Sequence, residues 1–217
     1  MPRDRPGRAQ APRRVSDGRR LLLVRHGQTE HNAGGVWQGQ LDTSLSDLGV
    51  EQARAAGRAI AAYRPTRVVA SDLQRARVTA EHVAEAAGIE VTLDPRWREI
   101  HVGQWQGLAT AEVRAGYADL LEQMDVADVR RGVDGETLAE VGARAGQALR
   151  EVLDGLGAGE CVAVVAHGVS TRAGIADLLG VDQHLATHAL LTLGNCHWAE
   201  LRHGRTGWQI AAWNAHA

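Results

Sequence analysis

Two histidines of the sequence stand where a short apolar run stops abruptly. The run RLLLV, which begins at Arg20, ends in Arg25-His26-Gly27, and the run CVAVVA ends in His167-Gly168. One histidine in this position is usually structural, because imidazoles readily bond to backbone carbonyls, but two in the same setting indicate a shared site. Around His26 a cation, a nucleophile and an unobstructed backbone N–H of Gly27 converge, which suits phosphate.

The elements around these runs predict how the two histidines meet. Apolar runs of this length are typical of strands buried on both faces, and further strands are expected at 67–70 and 90–93. Helices are expected at 46–63, capped by Ser46, at 71–88, capped by Ser71 with Asp72 in its first turn, and at 135–156. This alternation predicts an α/β fold, a three-layer sandwich with a mostly parallel central sheet flanked by helices.

The remaining segments complete one expected domain over 20–217. After a helix that ends near Leu179, strands are expected at 189–193, 196–201 and 208–213. The segment 104–133 lacks strand periodicity and is expected to be a lid inserted over the sheet. Residues 1–19 are rich in arginine and proline without an apolar stretch, which predicts a disordered extension rather than a signal peptide.

Composition excludes several classes of partner. The formal net charge is -2 and the sequence pI is about 6.5, so no overall charge attracts the chain to nucleic acid or to an anionic membrane. No run reaches the ~18 apolar residues of a membrane span, and we expect a cytoplasmic protein. Cys161 and Cys196 lack CxxC spacing and lie in apolar surroundings, which predicts two buried, reduced thiols.

No metal and no cofactor are expected. His184 and His188 have the i, i+4 spacing of a zinc helix, but Leu185-Ala186-Thr187 between them supplies no glutamate where HExxH has its base. We therefore interpret the pair as ordinary helix residues.

Four segments, in order, resemble the active-site motifs of the histidine phosphatase (phosphoglycerate mutase-like) superfamily. They are LVRHGQTEHN at 23–32, SDLQRA at 71–76, RE at 98–99 and AHG at 166–168. The resemblance implies that His26 attacks phosphorus and forms a phosphohistidine that water hydrolyses. It also implies that Arg25 and Arg75 grip the phosphoryl oxygens and that His167 supplies a further donor. Arg77 is interpreted as a solvated helix residue.

The resemblance also implies roles for a carboxyl group and several flanking residues. Glu99 is expected to protonate the leaving oxygen and then activate water, which requires a raised pKa. Asn32, Gln38 and Gly168 are expected beside the phosphate and His101 near the substrate. For Asn32 a capping or turn role stays open, as does a plain loop role for Gln38 and a structural role for His101.

Within this superfamily the chain is expected to be a phosphatase that acts on a small phosphorylated metabolite. The stretch from Glu99 to His167 is shorter than is usual in the cofactor-dependent mutases, and the segments QGQLDTSLSDLG, REIHVGQWQG and GNCHWAEL are similar to actinobacterial glucosyl-3-phosphoglycerate phosphatases. The segment 108–133 departs from them, so broad specificity stays open. A phosphoglycerate mutase and a member that only binds phosphorylated proteins are the alternatives, and a homodimer is also left open.

Overall fold

The computed structural model describes residues 17–217, and residues 1–16, most of the predicted extension, lie outside the described residues. The last residues of the predicted extension pack on the domain. Gly159 N donates to Asp17 O at 2.8 Å, and His203 N donates to Arg19 O at 3.2 Å.

The described chain alternates strands and helices in the predicted manner. The strands are β1 (Arg20–Arg25), β2 (Arg67–Ala70), β3 (Val91–Leu93), β4 (Cys161–Ala166), β5 (Trp198–Gly204) and β6 (Gly207–Ala215). The helices are α1 (Glu30–Ala33), α2 (Asp47–Ala61), α3 (Gln74–Ala87), α4 (Thr110–Gly116), α5 (Ala118–Val126), α6 (Leu138–Asp154), α7 (Gly168–Leu179) and α8 (Gln183–Ala189), with 3₁₀ turns at Pro95–Trp97 and Gly103–Trp105. None of these helices is long and apolar enough to cross a membrane.

The sheet has the strand order β3-β2-β4-β1-β5-β6. The first four strands are parallel, and β5 and β6 run antiparallel to their neighbours, which confirms the mostly parallel sheet. In the register of β1 against β4, Arg25 lies opposite Ala166. The residues that follow, His26 and His167, therefore leave two adjacent strands at the same edge of the sheet.

Strand β1 shows why the sheet is covered on both faces. Leu21 and Leu23 belong to a cluster with residues of α6 and α7, whereas Leu22 and Val24 belong to a cluster with residues of α2 and α3. Successive strand residues point to opposite faces, and all four are fully buried. The burial of each contributes about 1.5–3 kcal/mol. The predicted three-layer sandwich is confirmed.

The strand expected at 189–193 is wrong. Ala189 is the last residue of α8, and the residues after it form an irregular segment. Strand β1 already pairs with β4 on one side and β5 on the other, so this apolar stretch cannot pair with β1, and Leu193 O accepts from the Arg25 side chain instead. The strand expected from Cys196 begins at Trp198 instead, because Cys196 has a left-handed backbone with φ of 59°.

Of the three expected helix starts, one is confirmed and two are wrong. Ser46 caps α2 and accepts from Gly49 N, as expected. Ser71 does not cap α3, which begins only at Gln74, so Asp72 lies before the helix rather than in its first turn. Helix α6 begins at Leu138, not near 135, and is capped by Thr137.

The segment 104–133 forms the two short helices α4 and α5 and an apolar cluster around Trp105, which is fully buried. Trp105 makes edge contacts with Trp37, at a ring-centroid distance of 5.0 Å, and with Tyr117, at 5.7 Å. The contact with Trp37 joins the segment to the loop that follows α1. Its role as a lid stays a prediction.

Both cysteines are free and buried, as expected. Burial raises the pKa of Cys161 to about 11 and that of Cys196 to about 12. Neither thiol carries reactive thiolate near neutral pH.

Candidate active site

The two strand-end histidines lie side by side. The backbone N–H of His26 donates to Ala166 O at 3.0 Å, across the ends of β1 and β4. The rings of His26 and His167 have centroids 5.1 Å apart. Parallel strands that end at one edge thus bring together two residues far apart in sequence.

His26 presents one ring nitrogen to the site. Its Nδ1 donates to Gly27 O at 2.6 Å, which leaves the lone pair on Nε2. The side chain is 3% exposed. Burial, with the positive charges of Arg75 and Arg25, holds the pKa of His26 well below its ordinary value of 6.5, so the ring is neutral, the form a nucleophile needs.

The expected unobstructed N–H of Gly27 is wrong. It donates to the Thr79 hydroxyl at 3.1 Å, and that hydroxyl donates in turn to Arg75 O at 2.7 Å. The contact ties the residue after His26 to helix α3, which carries Arg75.

His167 is oriented by a serine. Its Nε2 lies 2.9 Å from Ser71 Oγ, and the same hydroxyl oxygen accepts from Leu73 N at 3.3 Å. The Ser71 hydroxyl hydrogen can point at Nε2, and in that tautomer the ring hydrogen lies on Nδ1. Nδ1 is buried without a hydrogen-bond partner in the described chain, and it is the atom that can donate to a ligand.

Arg75 is 1% exposed and is fixed by backbone carbonyls. Its Nη1 donates to Leu41 O at 2.7 Å and its Nη2 to Gly39 O at 2.8 Å. Gly39 has a φ of +51°, and a Cβ there would lie 2.8 Å from Val102 Cγ2, so a glycine is needed at this turn. Burial lowers the pKa of Arg75 to about 10, so it stays cationic at neutral pH.

Arg25, the last residue of β1, is also held by a backbone carbonyl. Its Nη1 donates to Leu193 O at 2.6 Å, from the irregular segment after α8. The Nε atoms of Arg25 and Arg75 are both buried without a partner among the described residues. Burial lowers the pKa of Arg25, and the negative charge of Glu99 opposes this shift.

The Glu99 carboxylate accepts three backbone N–H groups. Ile100 N donates at 2.9 Å, and Val169 N and Ser170 N at the start of α7 donate at 3.2 and 3.1 Å. Bonds of this kind stabilise negative charge on a carboxylate. The three donors fix the position of the carboxyl group.

Asn32 and Gln38 present their amide nitrogens to the site. Gln38 Oε1 accepts from the hydroxyls of Thr29 and Thr43, and Asn32 Oδ1 accepts from Thr29 N and Asn195 Nδ2. Since both carbonyl oxygens are engaged, the NH₂ groups are the ends left to donate. Asn32 also closes the capping box of α1. Its amide oxygen therefore serves the cap while its NH₂ group remains able to donate to a ligand.

Gly168 and His101 lie in different surroundings. A Cβ on Gly168 would be 2.9 Å from Thr192 Cγ2 and 3.8 Å from Arg25 Nε, so this residue packs beside the arginine. His101 Nδ1 accepts from Gly103 N at 3.3 Å, and its backbone N–H donates to Glu136.

A cavity of about 280 Å³ is lined by most of the predicted site residues, but His167, Gly168 and His101 are not among its lining residues. Its lining includes the predicted residues Arg25, His26, Asn32, Gln38, Arg75 and Glu99. His31 and Trp37, which the sequence did not single out, also line it, as does Thr110 from helix α4. This number of positive and donor groups suits a small anion.

No metal constellation accompanies this site. Between residues 17 and 217 no group of three or more His, Cys, Asp or Glu side chains is placed to hold a metal ion. The Nε2 atoms of His184 and His188 are 3.2 Å apart on the surface of α8.

The two buried imidazoles predict how stability depends on pH. The pKa of His167, like that of His26, is held well below 6.5, by burial first and then by Arg75 and other nearby positive charges. Between the lowered pKa and 6.5 the unfolded chain binds protons that the folded chain does not, so stability rises with pH there. Acidification from pH 7.5 to 5 is expected to cost on the order of 1 kcal/mol per pH unit for each histidine once below about pH 6.5.

The measurement is the Tm against pH in a buffer without phosphate or sulfate, which would occupy the site. The variant carrying both His26→Asn and His167→Asn should show a shallower slope over the same range. Equal slopes for the two proteins would contradict the prediction.

Residues 21–216 match the model of the Histidine phosphatase superfamily (branch 1). The chain belongs to this superfamily. It is 39% identical to the glucosyl-3-phosphoglycerate phosphatase of Mycolicibacterium vanbaalenii, over 92% of this chain and 96% of that protein. It is 34% identical to a probable phosphoglycerate mutase of Serratia proteamaculans, over 89% of each chain.

Among solved structures, a mycobacterial glucosyl-3-phosphoglycerate phosphatase in complex with VO3 is similar to this histidine phosphatase. The TM-score is 0.84 at 37% identity, covering 91% of this chain and 99% of the other. The expected superfamily, its phosphoglycerate mutase-like fold and the enzyme class of phosphatase are confirmed.

Proposed function

We propose that this protein hydrolyses a small phosphomonoester through a phosphohistidine at His26, with glucosyl-3-phosphoglycerate as the first candidate substrate. One observation carries the proposal. Three buried nitrogens without a partner in the described chain, Arg25 Nε, Arg75 Nε and His167 Nδ1, belong to side chains around the ring whose Nε2 is free. Buried donors normally have acceptors, and phosphoryl oxygens would supply them.

In the first step, His26 Nε2 forms a bond to phosphorus as the bond to the leaving oxygen breaks. The arginines and His167 stabilise the charge on the equatorial oxygens. The leaving oxygen takes a proton from Glu99. We assign the uptake of this proton by Glu99 to the arrival of the phosphate dianion, whose charge opposes a second anion nearby.

In the second step, Glu99 accepts a proton from water, whose oxygen attacks the phosphohistidine. Phosphate leaves and His26 returns to its neutral form. The same carboxyl group thus acts as acid and then as base. Arginine side chains neutralise the phosphate in this scheme and amide groups donate hydrogen bonds to it. Activity is therefore expected to be unchanged after incubation with EDTA, measured as phosphate release.

The substitution Glu99→Gln tests the proton transfer. It should lower kcat/KM by about 10²-fold for an alkyl phosphate, whose leaving oxygen needs a proton. For p-nitrophenyl phosphate, which releases a weakly basic phenolate, the loss should stay below about 10-fold. Equal losses for both substrates would contradict the role of Glu99.

The substrate proposal rests on the relatives named above and on the cavity. A volume of about 280 Å³ is at the small end for ligand pockets and suits a metabolite better than a phosphorylated protein. Trp37 gives the cavity an apolar wall on the side of α4, against which a sugar ring can pack. We propose that the segment 104–133 forms the lid over this organic part.

A screen of phosphate release tests this substrate. It compares glucosyl-3-phosphoglycerate, 3-phosphoglycerate and simple sugar phosphates by kcat/KM. A preference of about 10³-fold, equal to about 4 kcal/mol, would show that polar contacts read the glucosyl group. A flat profile would leave a phosphatase of broad specificity.

The mutase alternative has a separate test. Incubation with 3-phosphoglycerate and 2,3-bisphosphoglycerate should release phosphate rather than form the 2-isomer. We further propose a cytoplasmic location. Sedimentation measurements would show whether the protein forms a homodimer.

A further inference from the structure

The segment that carries Glu99 has no regular secondary structure of its own. Residues 98–102 lie between the 3₁₀ turns Pro95–Trp97 and Gly103–Trp105. No helix or sheet ladder therefore holds this backbone, although the carboxyl group that it carries must be placed within a fraction of an ångström for proton transfer.

Arg144 on helix α6 donates hydrogen bonds to the backbone carbonyls of this segment and of the turn before it. Its Nη1 donates to Arg96 O at 2.8 Å and to Arg98 O at 2.6 Å, and its Nη2 donates to Glu99 O at 3.0 Å. Three successive or near-successive carbonyls, including that of the candidate acid itself, thus converge on one guanidinium.

Glu136 completes the arrangement. Arg144 Nε donates to its Oε1 at 2.8 Å and Nη2 donates to its Oε2 at 2.9 Å. Glu136 Oε2 also accepts from His101 N at 2.8 Å, two residues beyond Glu99. All five N–H donors of the guanidinium are used, and the pair contacts the segment on both sides of Glu99.

We propose that Arg144 and Glu136 are a positioning pair that sets the place of the Glu99 carboxyl group for proton transfer to the leaving oxygen. The proposal rests on the acid role of Glu99 proposed above. Neither residue lines the cavity, so the pair acts through the backbone of Glu99 and not on the substrate. The side chains are only about 20% exposed, at 20% and 22%, which keeps water from replacing these bonds.

The test is Arg144→Lys, because an ammonium with three donors cannot reach three carbonyls and a carboxylate at once. The expected result is a 10- to 100-fold loss of kcat/KM for an alkyl phosphate and a loss below about 3-fold for p-nitrophenyl phosphate. The plot of log kcat/KM against leaving-group pKa should steepen. Glu136→Gln, which keeps the shape but removes the charge, should give the same pattern more weakly and serves if the first variant does not fold.

Arg150→Lys is the matched control. Arg150 lies on the same helix, is about half exposed and pairs with Asp177 at 2.5 Å, away from Glu99. This variant should leave kcat/KM unchanged for both the alkyl phosphate and p-nitrophenyl phosphate.

A double-variant comparison separates positioning from general loss of structure. Added to Glu99→Gln, Arg144→Lys should cost no more than about 2-fold, because the group it positions is gone. The positioning role is overturned if Arg144→Lys lowers kcat/KM equally for all substrates, or if its effect is undiminished in the Glu99→Gln protein. Either result would leave the acid role of Glu99 intact. If Glu99→Gln itself shows no dependence on the leaving group, the acid role of Glu99 fails and the inference fails with it.

Discussion

His26→Ala is expected to lower phosphate release by at least about 10⁴-fold. It should also abolish acid-labile ³²P labelling of the protein by a labelled substrate. The reason is that Nε2 of this ring carries the lone pair available for attack, because Nδ1 donates its hydrogen to Gly27 O. The remaining cationic groups can still bind phosphate, so the variant should retain affinity for the anion while losing turnover.

The control for this prediction is His188→Ala, which removes an exposed imidazole on α8. It should keep full turnover and full labelling. Persistent acid-labile label on the His26→Ala protein would place the nucleophile elsewhere and end the proposed mechanism.

The second large effect is expected for Arg75→Gln, with a loss of about 10³-fold in kcat/KM. Two charge-assisted hydrogen bonds to phosphoryl oxygens, each contributing about 1.5–3 kcal/mol, account for a loss of this size. Arg75 is already held by Gly39 O and Leu41 O, so it needs no reorganisation to meet the transition state. The measurement is kcat/KM for the preferred substrate, with the Tm as a check on folding.

Arg77→Gln provides the comparison, two residues along the same helix. Arg77 is exposed and pairs with Glu81 at 3.0 Å, a contact of little energetic weight. It should keep activity within about 2-fold. A loss below about 10-fold for Arg75→Gln, or similar losses for both variants, would remove Arg75 from the phosphate site.

Much of the sheet could be predicted because its signal is local. β2 and β4 have the expected bounds and β1 extends one residue further, since a continuous apolar run is required wherever a strand is buried on both faces. The expectation at 189–193 failed for the opposite reason. Its residues are as apolar as a strand, but whether a partner strand exists depends on the order of the whole sheet.

The site shows the same division. The motif residues His26, Arg25, Arg75 and Glu99 line one cavity, where the sequence placed them by their resemblance to a family. Ser71 was expected to cap a helix, yet its hydroxyl lies 2.9 Å from His167 Nε2. A serine before a helix carries the same local signal in both roles, so only its distant neighbour decides between them.

Residue types and periodicity determined the α/β class and the strand ends that carry His26 and His167, and the resemblance of four motifs indicated the family. The tertiary structure alone decided which atoms face the ligand. Ring nitrogens and guanidinium groups are directed by partners such as Ser71 Oγ, Leu193 O and Gly39 O. These contacts join residues from separate elements, and their geometry exists only after the chain has packed.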